Sequence, residues 1–384
     1  MDSGDQSDPE KSSRWSVIGL SVISVLVVLA IVASLVRLPY YKIAPGSVRD
    51  TIGLVEAPPA RETEPQGQIS FVTVSQTPDI TLWDWLDAKL DRHSIIRHED
   101  EVRGDQTTQE KRDEDQRRMR ASKNSAVVLA LDRLGFDLEI TPLGIEVARV
   151  FECTGAEGTL GTGDVILALD GEATLDSASL LGELAEHEIG DTIVLRVERI
   201  DPENSARSIS VEDVSLTLGS ADAACLADDV RADEARPFMG IGIDPLFSEE
   251  LPFDVGIETG NVGGPSAGLA FTLAIIDVLS EGELTNGLSV VATGTITREG
   301  SVGAVGGLQQ KTAAAEDSGA DIFLVPICCD NLVNVATGEP VPSNYEEALQ
   351  YADDMQVVGV ETLDDALEAI GALGGDVEPF LAVG

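Results

Sequence analysis

Histidine is almost missing from this chain. Its three copies, His93, His98 and His187, all precede residue 190. No HExxH pair exists for a zinc hydrolase, and His93 with His98 lies in a charged stretch that reads as surface rather than as metal ligands. The four cysteines, Cys153, Cys225, Cys328 and Cys329, have neither zinc-site spacing nor a CxxC pair. No GxxxxGK[ST] loop occurs, so the sequence holds no P-loop ATPase. Basic residues are also few, 25 against 68 acidic, for a net charge of −43. That balance excludes the basic stripe of a nucleic-acid binder and disfavours docking of the soluble part on anionic lipid. It reads instead as a solubilising acidic surface. Nothing implies a cofactor or a metal.

What is present begins with an apolar run. Residues 1–14 are polar and read as a disordered tail. Ser16 to Val36 carry no charge and would span roughly 31 Å as a helix. Trp15 and the Tyr40–Tyr41 pair bracket this run as an interfacial aromatic belt would. Residues 15–38 are therefore expected to form a transmembrane helix. A cleaved signal peptide is the rival, but Leu35-Val36-Arg37-Leu38-Pro39 lacks the small-residue cleavage pattern. Lys11 and Arg14 on one side balance Arg37, Lys42 and Arg49 on the other, so charge does not orient the span.

Residues 39–66 read as linker, and 67–135 as a strand, Gln68 to Gln76, followed by a helical region. The charged stretch Gln109 to Arg120 reads as a solvated helix face, and Ala126 to Leu134 as an apolar helix end stopped by Gly135. Phe238–Ile243 and Phe253–Glu258 read as strands feeding the loop at Ser266.

The chain is organised around residues 261–276, Asn-Val-Gly-Gly-Pro-Ser-Ala-Gly-Leu-Ala-Phe-Thr-Leu-Ala-Ile-Ile. Gly263, Gly264 and Pro265 specify a tight bend into a helix, placing Ser266 at a loop-to-helix junction. Backbone N–H groups at that helix end can stabilise an oxyanion. The serine needs a base, and no histidine is near. Lys311 follows, after a hairpin pattern around Gly300 and the pair Gly306-Gly307. No lysine comes after it, and the nearest before it is Lys123. In an alanine-rich setting its ammonium is disfavoured by desolvation, which leaves an amine able to act as general base.

Gly-Pro-Ser-Ala-Gly at 264–268, Thr-Gly-Thr-Ile at 293–296 and Gly-Gly-Leu-Gln-Gln-Lys at 306–311 together resemble the proteolytic domain of Lon proteases. The resemblance implies a catalytic Ser266–Lys311 dyad, Thr293 orienting the lysine, and Gly264 and Pro265 beside the substrate. It departs at Thr295, where these proteases usually carry an acidic residue, and at Gly263, where many have aspartate or histidine. Altered rate or regulation is expected from those departures, not a dead site.

Leu160-Gly161-Thr162-Gly163-Asp164-Val165-Ile166-Leu167-Ala168-Leu169-Asp170-Gly171, a helix over Ser177–Glu188 and a strand from Asp191 to Arg199 resemble a PDZ domain at 136–218. PDZ domains capture extended peptides by strand addition. The groove edge is expected at Leu143 to Val147, with Leu143, Gly144 and Ile145 contacting the peptide. The expected fold class is α+β: an N-terminal transmembrane helix, a PDZ domain and a Lon-like Ser–Lys protease domain at 236–384. The strand Gln68 to Gln76 is a candidate first strand of that last domain, with the PDZ module inserted after it.

A single span, then Pro-Tyr-Tyr-Lys-Ile-Ala-Pro-Gly at 39–46, then these two modules also resembles membrane-anchored Lon-like proteases of Gram-positive bacteria, including the actinobacterial type. This implies a catalytic part outside the cytoplasm, where Cys153 and Cys225 are one candidate disulfide pair. It implies a homo-oligomer as well, with a hexameric ring as its form. The expected function is ATP-independent cleavage of extended or unfolded proteins and peptides. The alternative is a non-catalytic PDZ scaffold with a retired protease fold.

Overall fold

The structure, a computed structural model, describes residues 9–57, 66–104, 106–151, 154–201, 204–220, 237–280, 283–327, 332–333, 340–341 and 343–381. All four cysteines, and with them the candidate pairing of Cys153 and Cys225, lie outside these residues. Helix α1 (Pro9–Leu35) leads to β1 (Tyr40–Asp50), β2 (Val55–Glu56), β3 (Gln68–Thr77), α2 (Leu82–Leu90), β4 (Ile95–His98), α3 (Glu99–Arg103) and α4 (Thr108–Arg133). Next come β5 (Glu139–Val150), β6 (Val165–Leu169), β7 (Glu172–Ala173), α5 (Ser177–Leu184), β8 (Thr192–Asp201), β9 (Asn204–Thr217) and β10 (Ile241–Glu250). The chain continues through β11 (Gly256–Ile257), α6 (Gly268–Leu279), β12 (Ser289–Ala292), β13 (Thr295–Ile296), β14 (Val302–Gly303), α7 (Leu308–Asp317) and β15 (Ile322–Pro326). It closes with β16 (Leu332–Val333), β17 (Pro340–Val341), α8 (Asn344–Tyr351), β18 (Gln356–Val360) and α9 (Leu363–Ala372).

These elements divide into two compact units. One holds residues 1–136 with nearly everything after 252, and the other holds 137–252. The first is built on a six-stranded sheet in the order β18-β15-β12-β3-β1-β4. The strands β18, β15, β12 and β3 run parallel, while β1 is antiparallel to both β3 and β4. Helices α7 and α8 lie in the crossovers between the parallel strands, so the fold is mixed α/β rather than the α+β expected. Gln68–Phe71 of β3 pair with Ser289–Ala292 of β12, joining segments on either side of the 137–252 unit in one sheet.

Tyr40–Asp50 was expected within a linker. It is instead an interior strand, and Pro45 and Gly46 sit where its register with β3 shifts. That is where a strand tolerates them, as a bulge. Helix α6 is mostly apolar and is buried on every side from Gly268 through Val278. Its Phe271 meets Phe71 of β3 edge to face at 5.6 Å between ring centroids. Helix α4 starts with a capping box, Thr107 and Glu110 exchanging side-chain and backbone hydrogen bonds. Its charged half is not wholly solvated as expected, since Met119 and Ser122 are buried.

The second unit is a sheet in the order β10-β5-β6-β8-β9, with β7 on β6. Its core gathers Ile145, Val147, Ile166, Leu180, Ile193, Leu195 and Ile241. Ile241–Glu250 thus belongs to this sheet, paired antiparallel with β5, and does not feed the Ser266 loop as Phe238–Ile243 was expected to do.

Among the described residues no helix is long and apolar enough to cross a membrane. Side chains of α1 are described only from Leu20 on. Leu20 to Leu35 is the C-terminal part of the 27-residue α1. Within it Leu20, Ile23, Leu26, Ile31 and Leu35 are all exposed. The expected transmembrane helix at 15–38 is therefore not shown. Because Phe271 is fully buried against Phe71, Phe271→Ala should destabilise the first unit by about 3–5 kcal/mol, read as a lower denaturant midpoint.

Candidate active site

The loop carrying Ser266 is held from two directions. From α4, the Asp115 carbonyl accepts from the Gly264 N–H at 2.8 Å, Gln116 Nε2 donates to the Val262 carbonyl at 3.2 Å, and Ser122 Oγ donates to the Pro265 carbonyl at 2.9 Å. A Cβ on Gly263 would stand 2.9 Å from that of Asp115, so the approach requires glycine. Gly264 has φ +91° with open space where a side chain would stand. From the sheet side, the Gly294 N–H donates to the Ser266 carbonyl at 2.9 Å, and the Leu269 N–H donates to the Gly294 carbonyl at 3.2 Å.

Thr293, at the end of β12, is fully buried. Its hydroxyl donates to the Ser266 carbonyl at 3.1 Å and accepts from Lys311 Nζ at 2.9 Å. The lysine comes from the first turn of α7, which begins at Gly307 with φ +75°. Lys311 is 2% exposed, and Thr293 is its hydrogen-bond partner among the described residues. Burial without a counter-charge pulls its pKa from 10.5 down to about 7. The Ser266 hydroxyl and Lys311 Nζ are not hydrogen-bonded to each other; such contacts are often long before substrate binds. Among the described residues the Ser266 and Ala267 N–H groups have no acceptor, which leaves two donors at the head of α6 for a developing oxyanion.

Ser266, Thr293, Lys311, Gly264 and Pro265 thus come together. Thr295 lies on the β13–β14 hairpin, its hydroxyl against Gly303. The contribution of α4 is what sequence reasoning missed. Lys123 also belongs to it: Nζ donates to the Ile257 carbonyl at 2.7 Å, and burial lowers its pKa against the pull of Glu258. A small residue, Ser122, standing on the apolar side of a charged helix was the available signal.

Leu143, Gly144 and Ile145 do not form a groove edge. Strand β5 is bonded to β10 along its length and to β6 at Ile145 and Glu146, so it has no free row of backbone donors there. Ile145 is buried, and a Cβ on Gly144 would meet Val165 at 2.7 Å. The sheet edge is β10, with α5 packed beside it and Leu181 of α5 exposed. The alternating Gly-Ile-Gly-Ile at 240–243 was its sequence signal.

Lys311 should weaken the fold it sits in. Below about pH 7 the ammonium is buried at full penalty, and from there to its ordinary pKa of 10.5 the folded state holds fewer protons than the unfolded one. Stability contributed at this position therefore rises with pH. Lys311→Met should melt higher than wild type at pH 6, by at least about 4 °C if 2 kcal/mol or more is recovered. The gap should narrow by pH 9; differential scanning calorimetry at the two pH values checks both statements.

Comparison with known proteins gives two regions of similarity. Residues 234–370 match the Lon protease (S16) C-terminal proteolytic domain, and residues 132–212 match the PDZ domain. The latter match stops short of β10. Among curated proteins, the Lon protease of Clostridioides difficile (strain 630) is 34% identical over 128 residues, covering 33% of this chain and 15% of that protein. The Lon protease of Azospirillum brasilense is 34% identical over 141 residues, covering 36% and 16%. The chain thus spans less than a fifth of the length of these relatives. Among solved structures, the PDZ domain of an SdrC-like protein from Listeria monocytogenes aligns at 22% identity with a TM-score of 0.20, over 26% of this chain and 86% of that one. The chain carries a Lon protease C-terminal proteolytic domain and a PDZ domain.

Proposed function

We propose that this protein is a membrane-anchored, ATP-independent endopeptidase that cuts extended or unfolded polypeptides with a Ser266–Lys311 dyad. The observation that carries the reading is the buried run from Lys311 Nζ through the Thr293 hydroxyl to the Ser266 carbonyl. It fixes the base relative to the nucleophile's own backbone and keeps the lysine away from water. With a pKa of about 7, a substantial fraction of Lys311 is a neutral amine at neutral pH. That amine takes the proton from Ser266 Oγ as the oxygen adds to the scissile carbonyl. The oxyanion is met by the Ser266 and Ala267 N–H groups, the only change of charge the site must stabilise without a side chain. The ammonium then returns its proton to the departing amine as the C–N bond breaks. Water, deprotonated in turn by Lys311, releases the acyl group. Thr293 is a positioning residue.

The PDZ domain supports recruitment of a peptide partner, added as a strand on the β10 edge beside α5. The exposed apolar side chains of α1 support insertion into a bilayer. The placement of the catalytic part outside the cytoplasm and assembly as a ring of identical subunits rest on the resemblance to membrane-anchored Lon-like proteases. The missing P-loop supports independence from ATP, and so restricts substrates to segments that are already extended.

β-Casein, a largely unfolded substrate, tests the dyad. Wild-type protein should cleave it equally with and without ATP, and Ser266→Ala and Lys311→Ala should each lose at least about 10³-fold in rate. The kcat/KM of the wild type should climb through pH 7 and level off above it, as the Lys311 ammonium gives up its proton. Equal cleavage by all three proteins would assign the activity elsewhere, and a non-catalytic scaffold predicts none. Leu181→Glu should weaken binding of an extended apolar peptide by about ten-fold, read by fluorescence anisotropy, without changing the melting temperature, since Leu181 is 54% exposed.

A further inference from the structure

Helix α2 is amphipathic in the wrong sense for a helix lying on a water-facing surface. Leu82, Trp83, Leu86 and Leu90 fall within about 100° of one another around the helix. They point outward, with exposures of 40%, 49%, 41% and 88%. The polar residues lie off this stripe or at its margin: Asp84 serves the helix's own cap, and Asp87 and Lys89 are exposed. Asp84 accepts from the Thr81 N–H and hydroxyl, and Asp87 pairs with Lys42 of β1. Ala88 is the buried position of the helix.

This outward stripe is joined to α1. Trp83 Nε1 donates to the Ala30 carbonyl of α1 at 3.3 Å, and Ala33 of α1 is buried. Below that contact, the Leu38 N–H donates to the Ile80 carbonyl, and Arg37 donates to the Asp79 carbonyl. The N-terminal turn of α2 therefore stands beside the last turns of α1. Ala30 precedes the helix end at Leu35 by about 7.5 Å along the axis. If α1 is inserted to that end, Trp83 lies at the depth of about 5–10 Å to which interfacial helices sink, the level indoles prefer. Arg37 at the exit and Lys89 over the Trp85 ring flank the stripe with cations.

We infer that α2 is an interfacial helix whose Leu82–Trp83–Leu86–Leu90 stripe is seated in the lipid bilayer, fixing the protease unit against the membrane rather than leaving it on a tether. The inference rests on the reading of α1 as a membrane anchor. Its occupant is lipid because the stripe stands beside the exposed apolar side chains of α1 and carries a tryptophan bonded to that helix.

The test uses the full chain with Trp15→Phe and Trp85→Phe, which leaves Trp83 as its only tryptophan. It is reconstituted in neutral phosphatidylcholine vesicles, since a net charge of −43 gains nothing from anionic headgroups. Lipid brominated near the headgroup end of its chains should quench Trp83 emission by about half, and lipid brominated near the bilayer centre should quench it less. Aqueous iodide should have little effect. Leu86→Glu with Leu90→Glu should abolish the lipid quenching while the protein still floats with the vesicles. Failure of the full chain to float would overturn the anchor and the seat together. Flotation with Trp83 open to iodide and blind to brominated lipid would overturn the seat alone. Shielding from both quenchers would assign the stripe to a protein contact and likewise overturn it.

Discussion

A lysine ammonium stripped of water and given no carboxylate is the constraint around which the first unit is arranged. Lys311 is buried among residues of α7 that are themselves buried, Leu308, Gln310, Thr312 and Ala313 to Ala315. Among the described residues it bonds to a hydroxyl, which can accept from the amine without holding the charged form as a carboxylate would. Everything that makes the amine useful also makes it unfavourable to bury. The parallel strands, the buried α6 and the glycine start of α7 supply the rigid surroundings that keep it there. Strain of this kind is tolerated where the surrounding packing overdetermines the position.

The two halves of the site differ in how visible they were in the sequence. Ser266 and Lys311 announce themselves because the residues around them serve local geometry: glycines at tight turns, a proline at a helix start, a lone lysine in an alanine-rich helix. Such signals act within a few residues and can be read one at a time. The supports from α4 cannot. Ser122 and Pro265 are 143 positions apart, and Gln116 and Val262 are 146 apart. Nothing in the local pattern of a charged helix says that one narrow face of it will meet a distant loop.

The same distinction explains the strands. β3 was legible from its alternation, but its parallel pairing with β12 is set by the tertiary fold. β1 fell within the stretch read as linker, and its Pro45 and Gly46 are accommodated where its register with β3 shifts. In the other unit β10 looked like the approach to the serine loop because it is close to it in sequence. Its pairing with β5, a hundred residues back, moves the open sheet edge from Leu143–Val147 to Ile241–Glu250.

The insertion of one unit into the other has a temporal side. Phe136 and Phe253, which bracket the 137–252 segment, stack edge to face at 5.2 Å, so the chain leaves and re-enters the first unit at one point. Helix α4 is made before that excursion and the loop it clamps is made after it. During synthesis the nascent first unit therefore holds half of the Ser266 clamp and none of Ser266, Thr293 and Lys311 until the inserted segment has emerged. A chain built in this order can assemble the Ser266–Thr293–Lys311 cluster only after the inserted segment has been made.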